Sequence, residues 1–386
     1  MRTIRGMVYT DRMCFEPGEV VIEGERIEKV ERCEAGVLTG QEAQTHVLPG
    51  LVDIHFHGCA GYDFCDGTVE AVRAIASYEM THGTTTICPA TMTLSEEQLL
   101  GICAAGAAAA ETEVLAEGIP LKDVLRGIYL EGPFISGEKK GAQNPAYIRT
   151  PDRQMLERLQ QAAKGMIRMV AIAPETEGAM DCIRACREAF RFSIAHTCAD
   201  YETAKTAMEA GVHHVTHLYN AMPPFTHRNP GVIGAAAENG ETRVELICDG
   251  IHIHPCVVKS TFKLFGAERM ALISDSMMAT GMEDGEYALG GQPVTVRGNR
   301  ALLKDGTIAG SATNLYDCMR TAMQMGVPKE EAVRAATCNP AEAVGLDAEC
   351  GVLLPGRRAD ILIADGEFAL LEVIKSGHAV KRAGKG

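Results

Sequence analysis

The sequence lacks several features that mark particular classes of protein. It contains no tryptophan, and aromatic residues make up only 5% of its 386 residues. Its 14 cysteines are scattered and include no C-x-x-C pair. Cys182 and Cys186 have helical spacing, which is typical of small buried side chains in a reducing compartment. We therefore expect free thiols and a cytoplasmic protein.

An excess of basic residues and a long apolar run are also missing. The chain has 51 acidic and 37 basic residues, a net charge of −14, which is the opposite of a nucleic-acid-binding surface. No stretch of about 18 consecutive apolar residues is present, and Met1–Thr10 is too polar for a signal peptide. The 46% hydrophobic and 23% charged residues are typical of a globular protein. From the composition, we therefore expect neither a nucleic-acid partner nor a membrane partner.

A repeated pattern dominates the region between His46 and Met277. Short apolar, β-branched runs alternate with amphipathic helical stretches, which indicates βα units and a parallel sheet. Eight runs are predicted strands: Val47–Ile54, Thr84–Pro89, Leu125–Leu130, Ile167–Ala173, Phe192–Ala195, His213–Thr216, Val244–Cys248 and Met270–Ser274. The simplest closure is an α/β fold with a (β/α)8 TIM-like barrel, and an open doubly wound sheet is the alternative.

The two ends of the chain have a different pattern. Short strand-like runs separated by glycine and acidic residues occupy residues 4–47 and recur from Gly351 to Lys381. We expect the two tails to pair as one small β domain (1–47 plus 351–386) beside the barrel (48–350), because domain termini often lie close together. The glycine-rich stretch Gly281–Lys304 is predicted to form a hairpin that covers the site.

Residues suited to metal binding follow several predicted strands. His55 and His57 lie at i and i+2 of an extended segment, so both imidazoles can reach one metal ion. The others, each just after a strand, are Glu131, His196, His217 and Asp275. Because active sites of such barrels form at the carboxyl ends of the strands, we expect these side chains to converge. The set is typical of zinc, iron or another divalent metal.

Asp275 differs from the histidines, because a carboxylate beside activated water can accept its proton and later donate it to a leaving amine. Its alternative role is to cap the next element. Asn220, Arg228 and His252 suit a phosphate or sugar, although a solvated loop arginine is the alternative for Arg228. His254 can share the role of His252 or point away from it. Six other histidines lack this placement and are predicted to be surface or packing residues: His46, His82, His213, His214, His227 and His378.

Several segments together resemble a known family. They are LPGLVDIHFHG (48–58), LEGPF (130–134), HLYNAM (217–222), CDGIH (248–252), ISDSM (273–277) and LPGRRAD (354–360). The H-x-H and the final segment are similar to the amidohydrolase superfamily as a whole. The others resemble its branch of N-acetylglucosamine-6-phosphate deacetylases. The resemblance covers nearly the whole chain and implies a barrel with a small β-sandwich formed by both termini.

The resemblance also implies roles for individual residues. Matches to Glu131, His196 and His217 bind the catalytic metal in the family, and His55 and His57 can hold a second ion with the glutamate as a bridge. The match to Asp275 is the general base and acid. Asn220, Ala221, Arg228 and His252 match residues around the sugar phosphate, where the arginine typically comes from the neighbouring subunit of a homodimer; the family pattern is thus that of a homodimer or a higher homo-oligomer.

One position departs from the family pattern. Gln143 stands before Asn-Pro, where the family usually has a histidine that polarises the acetamide carbonyl. A glutamine donates a neutral hydrogen bond but carries no positive charge. Loss of an oxyanion donor typically costs about 100- to 1,000-fold in rate. A compensating second metal, a different substrate and low activity all remain open.

The sequence-based hypothesis is metal-dependent hydrolysis of the acetamide of N-acetylglucosamine 6-phosphate, with acetate as a product and one or two divalent ions per subunit. The galactosamine epimer and other N-acyl substrates are alternatives. Cyclic-amide hydrolases are disfavoured, because the predicted fourth strand ends without the lysine that many of them use. A non-catalytic sugar-phosphate-binding protein is the alternative outside enzymes, and only Gln143 motivates it.

Overall fold

The structure is a computed structural model, and it describes residues 1–34 and 36–380. Part of the predicted tail, Lys381 to Gly386, lies outside these residues. The strands in chain order are β1 (Arg2–Tyr9), β2 (Phe15–Glu23), β3 (Arg26–Arg32), β4 (His46–Pro49), β5 (Leu51–Asp53), β6 (Gly58–Cys59), β7 (Tyr62–Asp63), β8 (Thr84–Ile87), β9 (Ile128–Leu130), β10 (Ile167–Ile172), β11 (Phe192–Ile194), β12 (His214–Val215), β13 (Arg243–Ile247), β14 (Met270–Ile273), β15 (Gly285–Leu289), β16 (Gln292–Arg297), β17 (Arg300–Leu302), β18 (Ile361–Ala364), β19 (Leu370–Lys375) and β20 (His378–Val380).

The helices are α1 (Val69–Thr81), α2 (Glu96–Thr112), α3 (Arg153–Ala162), α4 (Ala179–Cys186), α5 (Tyr201–Glu209), α6 (Gly231–Glu238), α7 (Pro255–Phe265), α8 (Leu315–Gln324), α9 (Lys329–Ala336) and α10 (Cys338–Ala343). Local sequence sets several of their starts. Ser95 and Gln98 form a capping box at α2, and the Asp152 carboxylate accepts backbone N–H bonds at α3. Within residues 1–34 and 36–380, no helix combines the length and the apolar character that a membrane span requires.

Parallel strands alternate with helices through the middle of the chain. Strands β9 to β14 form one parallel sheet in sequential order, and β5 pairs with β8 in a second. The bridges Ile87 to Leu125 and Ala90 to Tyr129 connect the β8 segment with the β9 segment. At the β14 edge of the six-stranded sheet, the segment after β14 contacts the segment after β5: the Asp275 N–H donates to the His55 carbonyl at 3.0 Å. The sequential order lacks the reversal that a doubly wound sheet requires, which excludes that alternative.

A seven-stranded sheet joins both ends of the chain, in the order β20-β19-β18-β4-β1-β2-β3. It contains the strand-like runs predicted at both termini and has its own buried apolar cluster, which includes Val20, Ile27 and Ile374. The division into 1–47 plus 351–386 and 48–350 stays a prediction.

The predicted strand Val47–Ile54 is wrong as a single element. Residues of β4 pair with β1 and β18 in the seven-stranded sheet, whereas β5 pairs with β8. Gly50 lies between them, and a Cβ atom at this position would approach the Thr85 Oγ1 to 2.1 Å. The chain therefore changes sheets at a residue that only glycine can occupy without a steric clash, and an unbroken apolar run concealed this change.

Candidate metal and catalytic site

Six side chains converge at the carboxyl ends of the parallel strands. Each is buried, with at most 8% of its surface exposed. They are His55 and His57 after β5, Glu131 after β9, His196 after β11, His217 after β12 and Asp275 after β14. The structure thus brings together all of the residues that the sequence nominated for metal binding and proton transfer.

Glu131 lies at the centre of this group. Its Oε1 is 3.0 Å from His196 Nε2, 3.1 Å from His217 Nε2 and 3.4 Å from His55 Nε2. Its Oε2 is 3.3 Å from His57 Nε2. One carboxylate therefore faces two pairs of imidazoles, which is the arrangement expected of a ligand shared by two ions.

Polar contacts behind the histidines fix which nitrogen points inward. His55 Nδ1 is 2.9 Å from Glu245 Oε2, and His196 Nδ1 is 2.8 Å from the Lys139 carbonyl. These acceptors favour a proton on Nδ1 and leave the Nε2 lone pair directed at Glu131. Nε2 of His55 is buried without a hydrogen-bond partner among the described residues. An imidazole held in this way is suited to a metal ligand.

Glu245 and His214 complete this support, and the sequence reasoning missed both. Glu245 is fully buried in β13, and its Oε1 is 2.9 Å from His214 Nε2. His214 is only 3% exposed, so it is not a surface residue; its ring holds a carboxylate that in turn holds His55. The available signal was a glutamate within the predicted apolar strand Val244–Cys248, since an unpaired buried carboxylate is costly.

The electrostatics of the group follow from its burial and its opposite charges. Burial alone would raise the pKa of Glu131, but His55, His196 and His217 hold it well below its ordinary value. Burial would lower the pKa of His57, but hydrogen bonds to Asp275 and Glu131 raise it to about 10. Burial alone would raise the pKa of Asp275, but the hydrogen bond to His57 lowers it, and the net effect is a decrease. The carboxylates are thus held ionised by neighbouring positive charge, a role that a divalent cation also fills.

Three of these residues have strained backbones. The φ angles of His196, His217 and Asp275 are 43°, 28° and 48°, in the left-handed region that non-glycine residues rarely adopt. Such conformations cost roughly 1–3 kcal/mol each and persist where surrounding contacts enforce them. At Asp275, the N–H donates to the His55 carbonyl and the carbonyl accepts from the Ser311 N–H. Backbone strain at clustered strand ends is typical of functional sites.

A pocket of about 380 Å³ opens onto this group. The predicted substrate-binding residues Gln143, Asn220, Ala221 and His252 line it together with five of the six converging side chains, all except His55. Leu289, in the Gly281–Lys304 stretch that is predicted to cover the site, forms part of its wall together with Ile308, which follows that stretch. The predicted hairpin is in fact a three-stranded sheet, because β17 adds to β16.

Arg228 does not join these residues within the chain. It lines a separate cavity of about 570 Å³ with residues that include Cys198, Tyr201 and Pro224. His252, by contrast, lies in the site with its Nδ1 2.7 Å from Asp249 Oδ2. Burial would lower the pKa of His252, but the hydrogen bond to Asp249 raises it above its ordinary value. His252 is therefore a group within this pocket that can carry positive charge towards an anionic substrate, and Lys139 also lines the pocket.

Gln143 is held on both sides of its amide group. Its Oε1 accepts a hydrogen bond of 2.6 Å from the Thr93 N–H, and its Nε2 donates to Glu131 Oε2 at 2.7 Å. The residue is 2% exposed. The first bond fixes the amide orientation, so the N–H₂ group points into the site. This is the orientation needed to donate to a substrate oxygen.

The donor set fits a divalent metal. Two triplets have ligand atoms within 4.8 Å of one another: His55, His57 and Glu131, and Glu131, His196 and His217. Imidazole nitrogens and carboxylate oxygens suit zinc, iron and related ions. The buried Nε2 of His55 lies 3.4 Å from Glu131 Oε1 but forms no hydrogen bond within residues 1–34 and 36–380, and this favours an ion here, because a buried polar atom normally has a partner.

Comparisons with known proteins agree with this geometry. The model of the amidohydrolase family matches residues 46–380. The chain is 38% identical to N-acetylglucosamine-6-phosphate deacetylase from Bacillus subtilis (strain 168), over 87% of this chain and 85% of that protein. It is 34% identical to N-acetylgalactosamine-6-phosphate deacetylase from Escherichia coli O157:H7, over 86% and 87%. The solved structure of N-acetyl-D-glucosamine-6-phosphate deacetylase from Mycobacterium smegmatis superposes with a TM-score of 0.90 at 32% identity, covering 99% of this chain and 100% of that one. The chain therefore belongs to the amidohydrolase family.

Proposed function

We propose that this protein is a metal-dependent hydrolase that removes the acetyl group of N-acetylglucosamine 6-phosphate, releasing acetate and glucosamine 6-phosphate. The observation that carries the proposal is the Glu131 carboxylate surrounded by four imidazoles, with Asp275 beside it at the mouth of the pocket. The curated relatives with this activity support the choice of substrate.

Glu131, His196 and His217 would hold one divalent ion, and His55 and His57 would hold a second with Glu131 as the bridge. Zinc and iron are the ions that best match nitrogen and oxygen ligands of this kind. When bound, such an ion supplies Lewis acidity, which activates water near neutral pH and polarises a carbonyl group.

Asp275 would act first as the base and then as the acid. Its pKa is lowered, so the carboxylate is ionised at neutral pH and can accept a proton. It takes a proton from the attacking water as the water oxygen bonds to the acetamide carbon. It then delivers that proton to the amide nitrogen while the C–N bond breaks, so that the amine and acetate are formed. Gln143 Nε2 would donate to the carbonyl oxygen as negative charge develops on it.

The sugar phosphate would lie against Asn220, Ala221 and His252. The raised pKa of His252 favours a cationic ring near the phosphate. Arg228 lies in a separate cavity, so we propose that it serves the site of a neighbouring subunit in a homodimer or higher homo-oligomer. Its guanidinium suits bidentate contact with phosphate oxygens.

We propose further that the eight parallel strands close into a (β/α)8 barrel. Support comes from links on both sides of the six-stranded sheet: the bridges between the β8 and β9 segments, and the hydrogen bond of Ser274 Oγ to Asp53 Oδ2 at 2.5 Å. A reducing, cytoplasmic location is also proposed, because all 14 cysteines are free thiols.

The galactosamine epimer is the second candidate substrate, and the relative from Escherichia coli O157:H7 favours it. The two sugars differ at one hydroxyl group, so an assay of both decides between them. A non-catalytic binding protein would bind either sugar phosphate without turnover.

The test is acetate release from N-acetylglucosamine 6-phosphate by purified protein whose metal content is measured on the same sample. We expect turnover that a chelator abolishes and that added zinc or iron restores. No acetate from metal-loaded protein with either epimer would contradict the proposal and would favour the non-catalytic alternative.

A further inference from the structure

A third cavity, of about 560 Å³, lies at the opposite end of the strands from the metal and catalytic site. Residues at the start of four neighbouring parallel strands line it: Ile167 of β10, Phe192 of β11, His214 of β12 and Arg243 of β13. Nothing in the proposed reaction uses this cavity. Its volume lies within the range of small-molecule sites.

Four arginines face this cavity: Arg168, Arg187, Arg191 and Arg243. The exposed His213 and one carboxylate, Glu188, also line it. The Glu188 side chain is 94% exposed and lies 3.6 Å from Arg187. In a chain with a net charge of −14, four guanidinium groups around one cavity form a local excess of positive charge. Such an excess attracts anions and is unfavourable without one.

Backbone carbonyls hold the guanidinium groups in place. Arg187 Nη1 donates to the Ala210 carbonyl, and Arg191 Nη1 donates to the carbonyls of Glu342 and Ala343 at the end of α10. Arg168 Nε donates to the Arg126 carbonyl. A guanidinium has five N–H donors, so these bonds orient each group and leave other donors for a ligand.

The charges and donors are incompletely satisfied. Within the described residues, neither Arg168 nor Arg191 forms an ion pair with a carboxylate. Arg243 contacts Glu342 through Nη2, but its Nε is buried without a hydrogen-bond partner in the same part of the chain. Buried donors normally have partners, so this atom is a second indication of a missing acceptor.

We infer that this cavity binds a small phosphorylated metabolite. Phosphate oxygens match the planar fork of arginine in pairs, which favours phosphate over a single carboxylate. The four guanidinium groups around the cavity can engage more than one phosphate group, and the largely buried Phe190 and Phe192 also line it. This inference does not depend on the proposed function.

The test maps arginine reactivity on the full-length, metal-loaded protein. Phenylglyoxal modifies accessible arginines, and peptide mass spectrometry measures the rate at each one. The probe is fructose 1,6-bisphosphate, compared with sodium chloride at equal ionic strength. We expect at least fivefold slower modification of Arg168 and Arg191 and less than a twofold change at the control residues Arg153 and Arg158 of α3, which pair with other glutamates. The inference would be overturned if the bisphosphate slowed modification of the control pair as much as that of Arg168 and Arg191, or if it slowed modification of neither pair.

Variants provide the second arm. In R168Q/R191Q, protection of Arg187 by the probe is expected to disappear, whereas the charge-matched R153Q/R158Q keeps it. If R168Q/R191Q fails to fold, R168K/R191K keeps the charge and loses the fork, and we expect the probe to bind at least tenfold more weakly. If folded R168Q/R191Q binds the bisphosphate as tightly as the unmodified protein does, the inference is wrong. Protection by citrate at lower concentrations than the bisphosphate would contradict the choice of phosphate.

Discussion

At the carboxyl ends of the strands, four imidazoles surround one carboxylate, whereas at the amino ends of β10–β13 four guanidinium groups face one cavity. In the first region, Glu131 and Asp275 lie among the histidines, and the imidazole nitrogens offer lone pairs. In the second region, arginines offer only N–H donors, and Glu188 is largely exposed. Similar strand ends therefore suit a cation at one end and an anion at the other.

A short polar chain runs between the two regions. His214 lines the arginine cavity and contacts Glu245, which in turn contacts His55, a proposed metal ligand. The two regions thus lie at opposite ends of the same parallel strands and differ in the chemistry of their side chains. Variants in each region can separate catalysis, metal binding and support.

The largest effect is expected from Asp275→Asn. The amide has almost the same shape but cannot accept the proton, so kcat should fall by about 100- to 10,000-fold. Acetate release with N-acetylglucosamine 6-phosphate measures the change, and metal analysis checks that the ions are retained. The exposed Asp181→Asn of α4 is the matched control and should leave kcat within about twofold. Near-normal turnover of metal-replete Asp275→Asn would reject its proposed role.

Gln143→Ala should lower kcat by roughly 100-fold, because the amide that points into the site is lost. Gln143→His restores a donor and is expected to recover activity. Gln154→Ala, at an exposed position of α3, serves as the control. If Gln143→Ala raised KM and left kcat unchanged, Gln143 would be a binding residue with no part in stabilising the transition state.

His214→Ala tests the polar chain between the regions. Loss of the His214 contact frees Glu245, and such supporting contacts typically contribute 10- to 100-fold to metal affinity. Titration of metal-free protein with zinc gives the affinity. The neighbouring His213→Ala is the control, since the His213 side chain is 51% exposed. Equal zinc affinity in the two variants would show that the chain has no influence on the site.

The smallest effect is expected for pH dependence through His252. A cationic His252 favours phosphate binding, and its pKa lies above the ordinary value of 6.5, so KM should rise only as the pH rises through this raised pKa. Asp249→Asn removes the hydrogen-bond partner that raises the pKa of His252, so the rise in KM should begin at a lower pH in the variant. Superimposable KM profiles would exclude a charged His252 from substrate binding.

The sequence predicted the convergence of the site well because position along each strand was sufficient. His55, Glu131 and His217 each follow an apolar run, and parallel strands place such positions at one edge. It missed the change of sheet at Gly50, because nothing in an unbroken apolar run shows where one sheet ends. It also missed Glu245 and His214, whose partners lie on other strands.

The sequence did not predict the arginine cavity, for a similar reason. Arg168, Arg187, Arg191 and Arg243 are spread over three βα units, and each resembles an ordinary solvated charge. Their convergence depends on the side-by-side pairing of β10 to β13 and on the position of α10. Local patterns predict where a strand begins, but they do not predict which side chains meet across an end of the sheet.

The pairing of β18 with β4 also determines the order of events during protein synthesis. β1 to β4 leave the ribosome early, but the partner that covers β4 is made about 300 residues later. At about 5–20 residues per second, this interval is roughly 15–60 s. During that time the edge of β4 has unpaired N–H and C=O groups, the kind of edge that pairs with other chains. The nascent protein is therefore expected to need protection from aggregation until Ile361–Ala364 has emerged.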